Sequence, residues 1–253
     1  MKNHFLFSYA GNKRDEVENI YNAIKHLITN DIKIIIEPYC GTSAFSYYLS
    51  ILFPNRFKYI INDNNKHLYD LITISKDEEK LNLLIEKLNN TIDNINNKEE
   101  YKSISDEFEK YIIHNKWHSI HAGIFPIREK KPDFKTFENC PIVNFLRNED
   151  VEILNIDGLE LINQYEDNKE VLFFIDPPYI QSCNMFYLNP GIKIYEWVYN
   201  NDLQFKNSTY IFCLENMWII QILFKKYKLL TSYNKKYSDH KKNLTIHAVY
   251  SSK

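Results

Sequence analysis

Apolar residues recur at three- and four-residue steps through Val17, Ile20, Tyr21, Ile24, Leu27 and Ile28, which predicts an amphipathic helix. Ile32-Lys33-Ile34-Ile35-Ile36 follows, a β-branched run that predicts a buried strand. A helical stretch over 44–53, a strand at Phe57–Ile61 and a helix from about His67 to Ile74 continue the alternation. It resumes later with Val151–Leu154, a helix over about 159–165, and the uninterrupted apolar run Val171-Leu172-Phe173-Phe174-Ile175 expected of a central parallel strand. A helix near 194–204, a strand at Thr209–Leu214, a helix at 216–226 and two last strands complete the reading. Helix and strand in alternation predict an open α/β sheet, mostly parallel.

Residues 76–115 interrupt that rhythm. Leu81, Leu84, Ile85, Leu88, Ile92 and Ile95 form one helical stripe, and Tyr101, Ile104, Phe108, Tyr111 and Ile112 form a second. Residues 116–145 carry Pro126, Pro132 and Pro141 among aromatic and basic residues and read as irregular. The expected division is a core of 1–75 and 149–253 with a helical insertion at 76–148.

Composition adds modest constraints. Of the 253 residues 44% are hydrophobic and 15% aromatic, enough for a core, which excludes wholesale disorder. A net charge of -2 does not suggest a non-specific nucleic-acid binder, although local patches can still contact phosphate. Cys40, Cys140, Cys183 and Cys213 are widely spaced, with neither C-x-x-C nor zinc-ligand spacing, so no metal site is expected and a reducing compartment fits. No run of 18 apolar residues and no leader-like N-terminal segment occur, so no membrane partner is expected. The expected location is the cytoplasm, bacterial or that of a phage- or virus-infected host.

In open α/β sheets ligands sit beyond the carboxyl ends of the strands. Four polar turns follow strands directly: Glu37–Ser43, Asn62–Asn64, Asn155–Gly158 and Asp176–Tyr179. Neither a G-x-x-x-x-G-K-[ST] nor a G-x-G-x-x-G loop is present, which argues against polyphosphate and nicotinamide ligands. Asp176-Pro177-Pro178-Tyr179 is the most specific of the four. Its prolines have no N–H, so the corner presents carbonyl oxygens and a carboxylate, which suits recognition of an NH₂ group. Tyr179 offers a face for stacking a base, worth roughly 1–3 kcal/mol. A proline-rich turn whose Asp caps a helix is the plainer alternative.

The ordered set Phe5-Leu6-Phe7-Ser8-Tyr9-Ala10-Gly11-Asn12-Lys13, Glu37-Pro38-Tyr39-Cys40-Gly41-Thr42-Ser43, Asn62-Asp63-Asn64 and Asp176-Pro177-Pro178-Tyr179 resembles the D12 class of adenine-N6 DNA methyltransferases. Gly123–Pro126 and Lys130–Phe134 resemble, more loosely, part of that family's target-recognition region, and the chain has Ser43 where the family usually has a second glycine. The resemblance implies a Rossmann-like sheet with a helical target-recognition insertion. It also implies S-adenosylmethionine as cofactor and double-stranded DNA as partner, with a flipped adenine as methyl acceptor. By the same likeness Tyr9, Gly11, Lys13, Glu37, Gly41, Asp63, Asp157 and Asp176 would hold the cofactor. Lys13 would reach its carboxylate, Asp63 its ribose and Asp157 its adenine amine. Asp176, Pro177, Pro178 and Tyr179 would form the catalytic corner.

Lys116, Arg128, Lys130, Lys131 and Lys135 are the expected phosphate contacts. A homodimer and a cognate restriction endonuclease complete the expected protein partners. A catalytically degenerate relative that binds nucleic acid or a protein, and an RNA adenine methyltransferase, stay open as alternatives.

Overall fold

A computed structural model describes residues 4–6, 11–117, 131–180, 192–236 and 244–253. In chain order the elements are α1 (Val17–Ile24), β1 (Ile34–Glu37), α2 (Ala44–Leu52), β2 (Lys58–Asn62), α3 (Lys66–Lys76), α4 (Glu78–Asp93), α5 (Lys98–Lys102), α6 (Glu107–Trp117) and α7 (Pro141–Leu146). Then come β3 (Val151–Leu154), α8 (Gly158–Tyr165), β4 (Val171–Ile175), α9 (Ile192–Asn200), β5 (Thr209–Glu215), α10 (Trp218–Leu223), β6 (Lys228–Lys236) and β7 (Leu244–Ser251). The chain forms two compact units, one of Met1–Asn12 with Lys66–Glu149, the other of Lys13–Asn65 with Asp150–Lys253. None of the described helices is long and apolar enough to cross a membrane.

The second unit is built on a seven-stranded sheet in the order β3-β2-β1-β4-β5-β7-β6. β1 to β5 run parallel, while β7 is antiparallel to both β5 and β6. This is the mostly parallel α/β sheet expected from the alternation, in the Rossmann-like form that the resemblance implied. Every residue of β4 is buried because helices cover both faces of the sheet. On one face Phe174 stacks on Phe45 of α2, with ring centres 4.1 Å apart. On the other, Phe173 stacks on Tyr210 of β5 at 5.0 Å. Removing a buried ring of this kind costs about 3–5 kcal/mol.

The helical unit packs the predicted Leu81, Leu84, Ile85, Leu88 and Ile92 stripe of α4 inward. Asp77 caps that helix through the Lys80 amide at 3.1 Å. Glu109 of α6 is buried, yet it accepts the Thr91 hydroxyl at 2.8 Å and pairs with Lys87. The segment expected to be irregular holds a 3₁₀ turn at Phe134–Phe137 and the helix α7. Pro141, a breaker inside a helix, stands at the first helical position of α7, where its missing N–H has no intrahelical role. At the other end of the chain, α10 is shorter than the expected 216–226.

The order of chain travel creates the functional geometry. From β1 the chain adds strands outward through β2 and β3, then returns to the other side of β1 with β4 and β5. The direction therefore reverses between β1 and β4, and a ligand crevice belongs beyond their carboxyl ends. Asn62 ties the turns there together. Its fully buried amide donates to the carbonyls of Pro38 at 2.9 Å and Ile156 at 3.1 Å, and its Oδ1 accepts from the Ile156 amide at 2.9 Å. Asn62→Leu keeps the branched shape, though it is bulkier, and strands those three backbone groups, each costing about 1–3 kcal/mol, so a loss of about 3 kcal/mol or more is expected. The midpoint of urea unfolding at constant m-value measures it, and a midpoint near wild type would contradict the staple role.

Candidate active site

Gly41, Cys40 and Ser43 form a tight turn after β1. The Ser43 amide donates to the Cys40 carbonyl at 2.7 Å, and the Cys40 amide to the Asn62 carbonyl at 2.8 Å. Gly41 has φ 50°, in the left-handed region open to glycine. Ser43 also sits there, at φ 55° and ψ 37°, and its Cβ makes that conformation costly by roughly 1–2 kcal/mol. The turn thus asks for glycine at both positions and the chain supplies one.

Asp63 follows β2 and closes this turn from the side. Its Oδ2 accepts the Gly41 amide at 3.0 Å and its Oδ1 the Asn65 amide at 2.9 Å. Burial pushes the carboxyl up and these two bonds oppose that. A carboxylate offers about four acceptor positions, so two bonds leave capacity for ligand hydroxyls. Asp157 caps α8 through the Leu159 amide at 2.8 Å and is exposed. Next to it, a Cβ on Gly158 would lie 2.7 Å from the Tyr39 ring, so only glycine lets that ring lie against the start of α8.

Glu37, the last residue of β1, is 2% exposed. Its Oε1 accepts the Ser46 amide at 2.8 Å. Burial pushes its carboxyl up to about 7, the Ser46 bonds oppose this, and the charge of Asp176 adds to the rise.

At the end of β4, Asp176 holds two donors. Lys13 Nζ lies 2.6 Å from Oδ2, and the Tyr179 hydroxyl donates to Oδ1 at 3.2 Å. Lys13 is 4% exposed and its ammonium also sits 5.2 Å from the centre of the Tyr179 ring. Burial alone would push Lys13 down, but the carboxylate of Asp176 beside it more than reverses this and holds it protonated. For Asp176 burial pushes up and Lys13 opposes. Pro177 is buried and Pro178 half-buried, and neither of these two positions has a backbone N–H. Tyr195 of α9 is near enough that the Asp176 charge, after burial, raises its hydroxyl further.

Behind this corner lies a second group of polar residues that the sequence reading missed. Glu16 accepts from Lys235 Nζ at 2.5 Å and bonds His247 Nδ1 at 2.6 Å. Burial works against its charge, yet His247, Lys13 and Lys235 hold its carboxyl at about 2. His247 meets Tyr179 edge to face at 5.3 Å and its cross-strand partner Tyr233 at 5.9 Å. The Tyr233 hydroxyl lies 3.7 Å from the Cys213 sulfur. One signal was present in the sequence: His247 occupies a core-facing position of the alternating strand Ile246-His247-Ala248-Val249, where a polar side chain needs a buried partner.

The structure therefore gathers Lys13, Glu37, Gly41, Asp63, Asp157 and the Asp176–Tyr179 corner at one end of the sheet unit. Gly11, at φ 79°, belongs to the other unit. Tyr9, Arg128 and Lys130 lie outside the described residues. Two of the expected phosphate contacts serve the helical unit itself. Lys116 donates to the Leu6 carbonyl at 2.8 Å and covers the Phe137 ring, and Lys131 donates to the Asp93 carbonyl at 3.0 Å. Lys135 is exposed.

Residues 9–122 match the family model of D12 class N6 adenine-specific DNA methyltransferases. The match covers a little under half of the chain, and methyl transfer is the activity it supports. No curated protein matches it. Among solved structures it is similar to precorrin-6y C5,15-methyltransferase from Geobacter metallireducens GS-15, at 10% identity and TM-score 0.43, covering 98% of this chain and 94% of that one. It is also similar to the human methyltransferase 10 domain containing protein, at 7% identity and TM-score 0.46, covering 94% and 82%. The N-terminal domain of human METTL16 in complex with SAH shows 6% identity and TM-score 0.43, covering 94% and 68%.

S-adenosylmethionine is the cofactor that the matched family implies, and the donor set of this chain fits it. The Thr42 hydroxyl at the β1 turn is buried with no hydrogen-bond partner among the described residues, and Asp63 has unused acceptor positions beside it.

The raised Glu37 carboxyl gives a testable pH dependence. Its folded value, about 7, exceeds the ordinary 4.5, so the fold binds its proton more tightly and stability declines as pH rises through that window. Glu37→Gln keeps an acceptor for the Ser46 amide and removes the decline. Urea midpoints should show the variant more stable than wild type at pH 8, by about 2–3 kcal/mol, and much closer to it at pH 5.

Proposed function

We propose that the chain transfers a methyl group from S-adenosylmethionine to the N6 amine of adenine in double-stranded DNA. The observation that carries this reading is the Asp176–Tyr179 corner: a carboxylate backed by a buried ammonium, two prolines without N–H groups, and an aromatic ring on one turn at the sheet's reversal point. The D12 class match supports the choice of adenine in DNA.

The chain's own residues have three tasks. Asp176 and the Pro177 carbonyl accept the two hydrogens of the amine, which draws its lone pair out of conjugation and toward a pyramidal geometry. The same carboxylate favours the positive charge that grows on the nitrogen. Tyr179 stacks the base, which must leave the duplex to reach a corner this far buried. Its hydroxyl and Lys13 occupy the Asp176 oxygens in the present arrangement, so an entering amine exchanges with the Tyr179 hydroxyl rather than meeting an unsatisfied charge. Lys13 stays as the counter-charge that keeps a buried carboxylate ionised.

The Thr42 hydroxyl, Glu37, Asp63 and Asp157 would hold the cofactor, which supplies a methyl group already activated on a sulfonium. Alignment then contributes much of the acceleration. We assign target recognition to 76–148, and phosphate contact there to Lys135 in the first place, because its ammonium is exposed whereas Lys116 and Lys131 bond carbonyls.

The test uses labelled cofactor with duplex DNA of mixed sequence, and RNA of the same sequence in parallel, each digested to nucleosides. Label in N6-methyladenine from DNA is expected from wild type. Asp176→Asn, folded by circular dichroism, should lose transfer by about 10²-fold or more. Label in another nucleoside, label from RNA alone, or full activity in Asp176→Asn would overturn the assignment.

A further inference from the structure

The aromatic ring that would stack the base is itself held in place, and the holder lies at the far end of the chain. Tyr179 touches the Lys13 ammonium at 5.2 Å and meets the His247 ring at 5.3 Å with an interplanar angle of 81°. An edge-to-face pair of this kind has a definite preferred orientation. His247 cannot turn, because it is 1% exposed, its Nδ1 is bonded to Glu16 Oε2 at 2.6 Å, and its flank meets Tyr233 at 5.9 Å. Glu16 cannot follow a motion of the ring either. Lys235 holds its other oxygen at 2.5 Å, and its amide donates to the Lys13 carbonyl at 2.7 Å at the start of α1.

We infer that His247, oriented by Glu16, is a positioning residue for Tyr179 and sets the plane in which an incoming base is stacked. The inference rests on the reading of Tyr179 as the stacking residue. It goes beyond that reading because the group that sets the geometry is the His247–Glu16–Lys235 set, joining α1 to the β6–β7 hairpin. The same Glu16 borders Lys13, so the set steadies the stacking ring and the counter-ion of Asp176 together.

The experiment compares wild type with His247→Asn, which removes the ring and keeps an amide able to bond Glu16, and His247→Phe, which keeps a ring and loses that bond. Glu16→Gln, which keeps size and loses charge, is the third variant. In the full chain carrying ¹³C-labelled tyrosine rings, the Tyr179 resonance is assigned by its loss in Tyr179→Phe. It should move in His247→Asn and, because the bond to Glu16 that orients the ring is lost, in His247→Phe as well. Methyl transfer at saturating cofactor should fall about tenfold in His247→Asn, while the Kd for S-adenosylhomocysteine stays within about twofold. Glu16→Gln should move the Tyr179 resonance in the same direction, and it decides the matter if His247→Asn does not fold. An unmoved Tyr179 resonance in a folded His247→Asn or Glu16→Gln would overturn the inference. So would a parallel fall of transfer, cofactor affinity and melting temperature, which marks a merely structural role. Were wild type to methylate nothing, the functional reading would fall, and the Tyr179 resonance would still decide whether His247 fixes the ring.

Discussion

The ion pair between Lys13 and Asp176 is the constraint on which the rest of the site depends. A carboxylate at the end of a central strand is surrounded by the core that makes the strand, and burial there opposes its charge. The role proposed for Asp176 as an acceptor of hydrogen bonds requires it to be charged nevertheless. An ammonium at 2.6 Å resolves the conflict, at the cost of burying a second charge. That second charge is in turn flanked by Glu16, and Glu16 by Lys235 and His247. Buried charge thus propagates outward from one functional group until it is balanced, which accounts for a run of polar side chains inside an otherwise apolar wall.

The same logic explains why the site is assembled from strand ends. β1, β2 and β4 deliver Glu37, Asp63 and Asp176 to one end of a sheet whose backbone bonds hold the turns in register. Asn62 and Asp63 convert the loose ends of neighbouring strands into one connected surface, using side-chain bonds to backbone groups that would otherwise be buried and unpaired. Rigidity suits the proposed amine recognition, because hydrogen bonding depends on direction as well as distance. The strained left-handed Ser43 shows that the turn geometry is imposed by its surroundings rather than by its own preference.

Most of the fold and roughly the first layer of the site were legible in the chain. Three- and four-residue periodicity marks α1 and α4, and the unbroken Val171–Ile175 run marks β4, because these signals are local. The Asp-Pro-Pro-Tyr corner was equally legible, since two prolines after a buried strand restrict the backbone wherever they occur. What misled was Pro141, whose effect on a helix depends on whether it stands inside or at the first position. Lys116 and Lys131 misled for a related reason: composition marks a basic residue as a candidate for phosphate, but only packing shows a carbonyl already bonded to it.

By itself the sequence determined the alternation of strand and helix, the four polar turns and the Asp-Pro-Pro-Tyr corner, all of which follow from neighbours a few positions apart. Only the tertiary structure decided that Lys13 serves Asp176 and that Glu16 meets Lys235 and His247 across 219 and 231 positions of chain. The Glu16 contacts exist because β7 inserts antiparallel between β5 and β6, an arrangement selected by the burial of the whole sheet and not by any local preference of the residues that meet there.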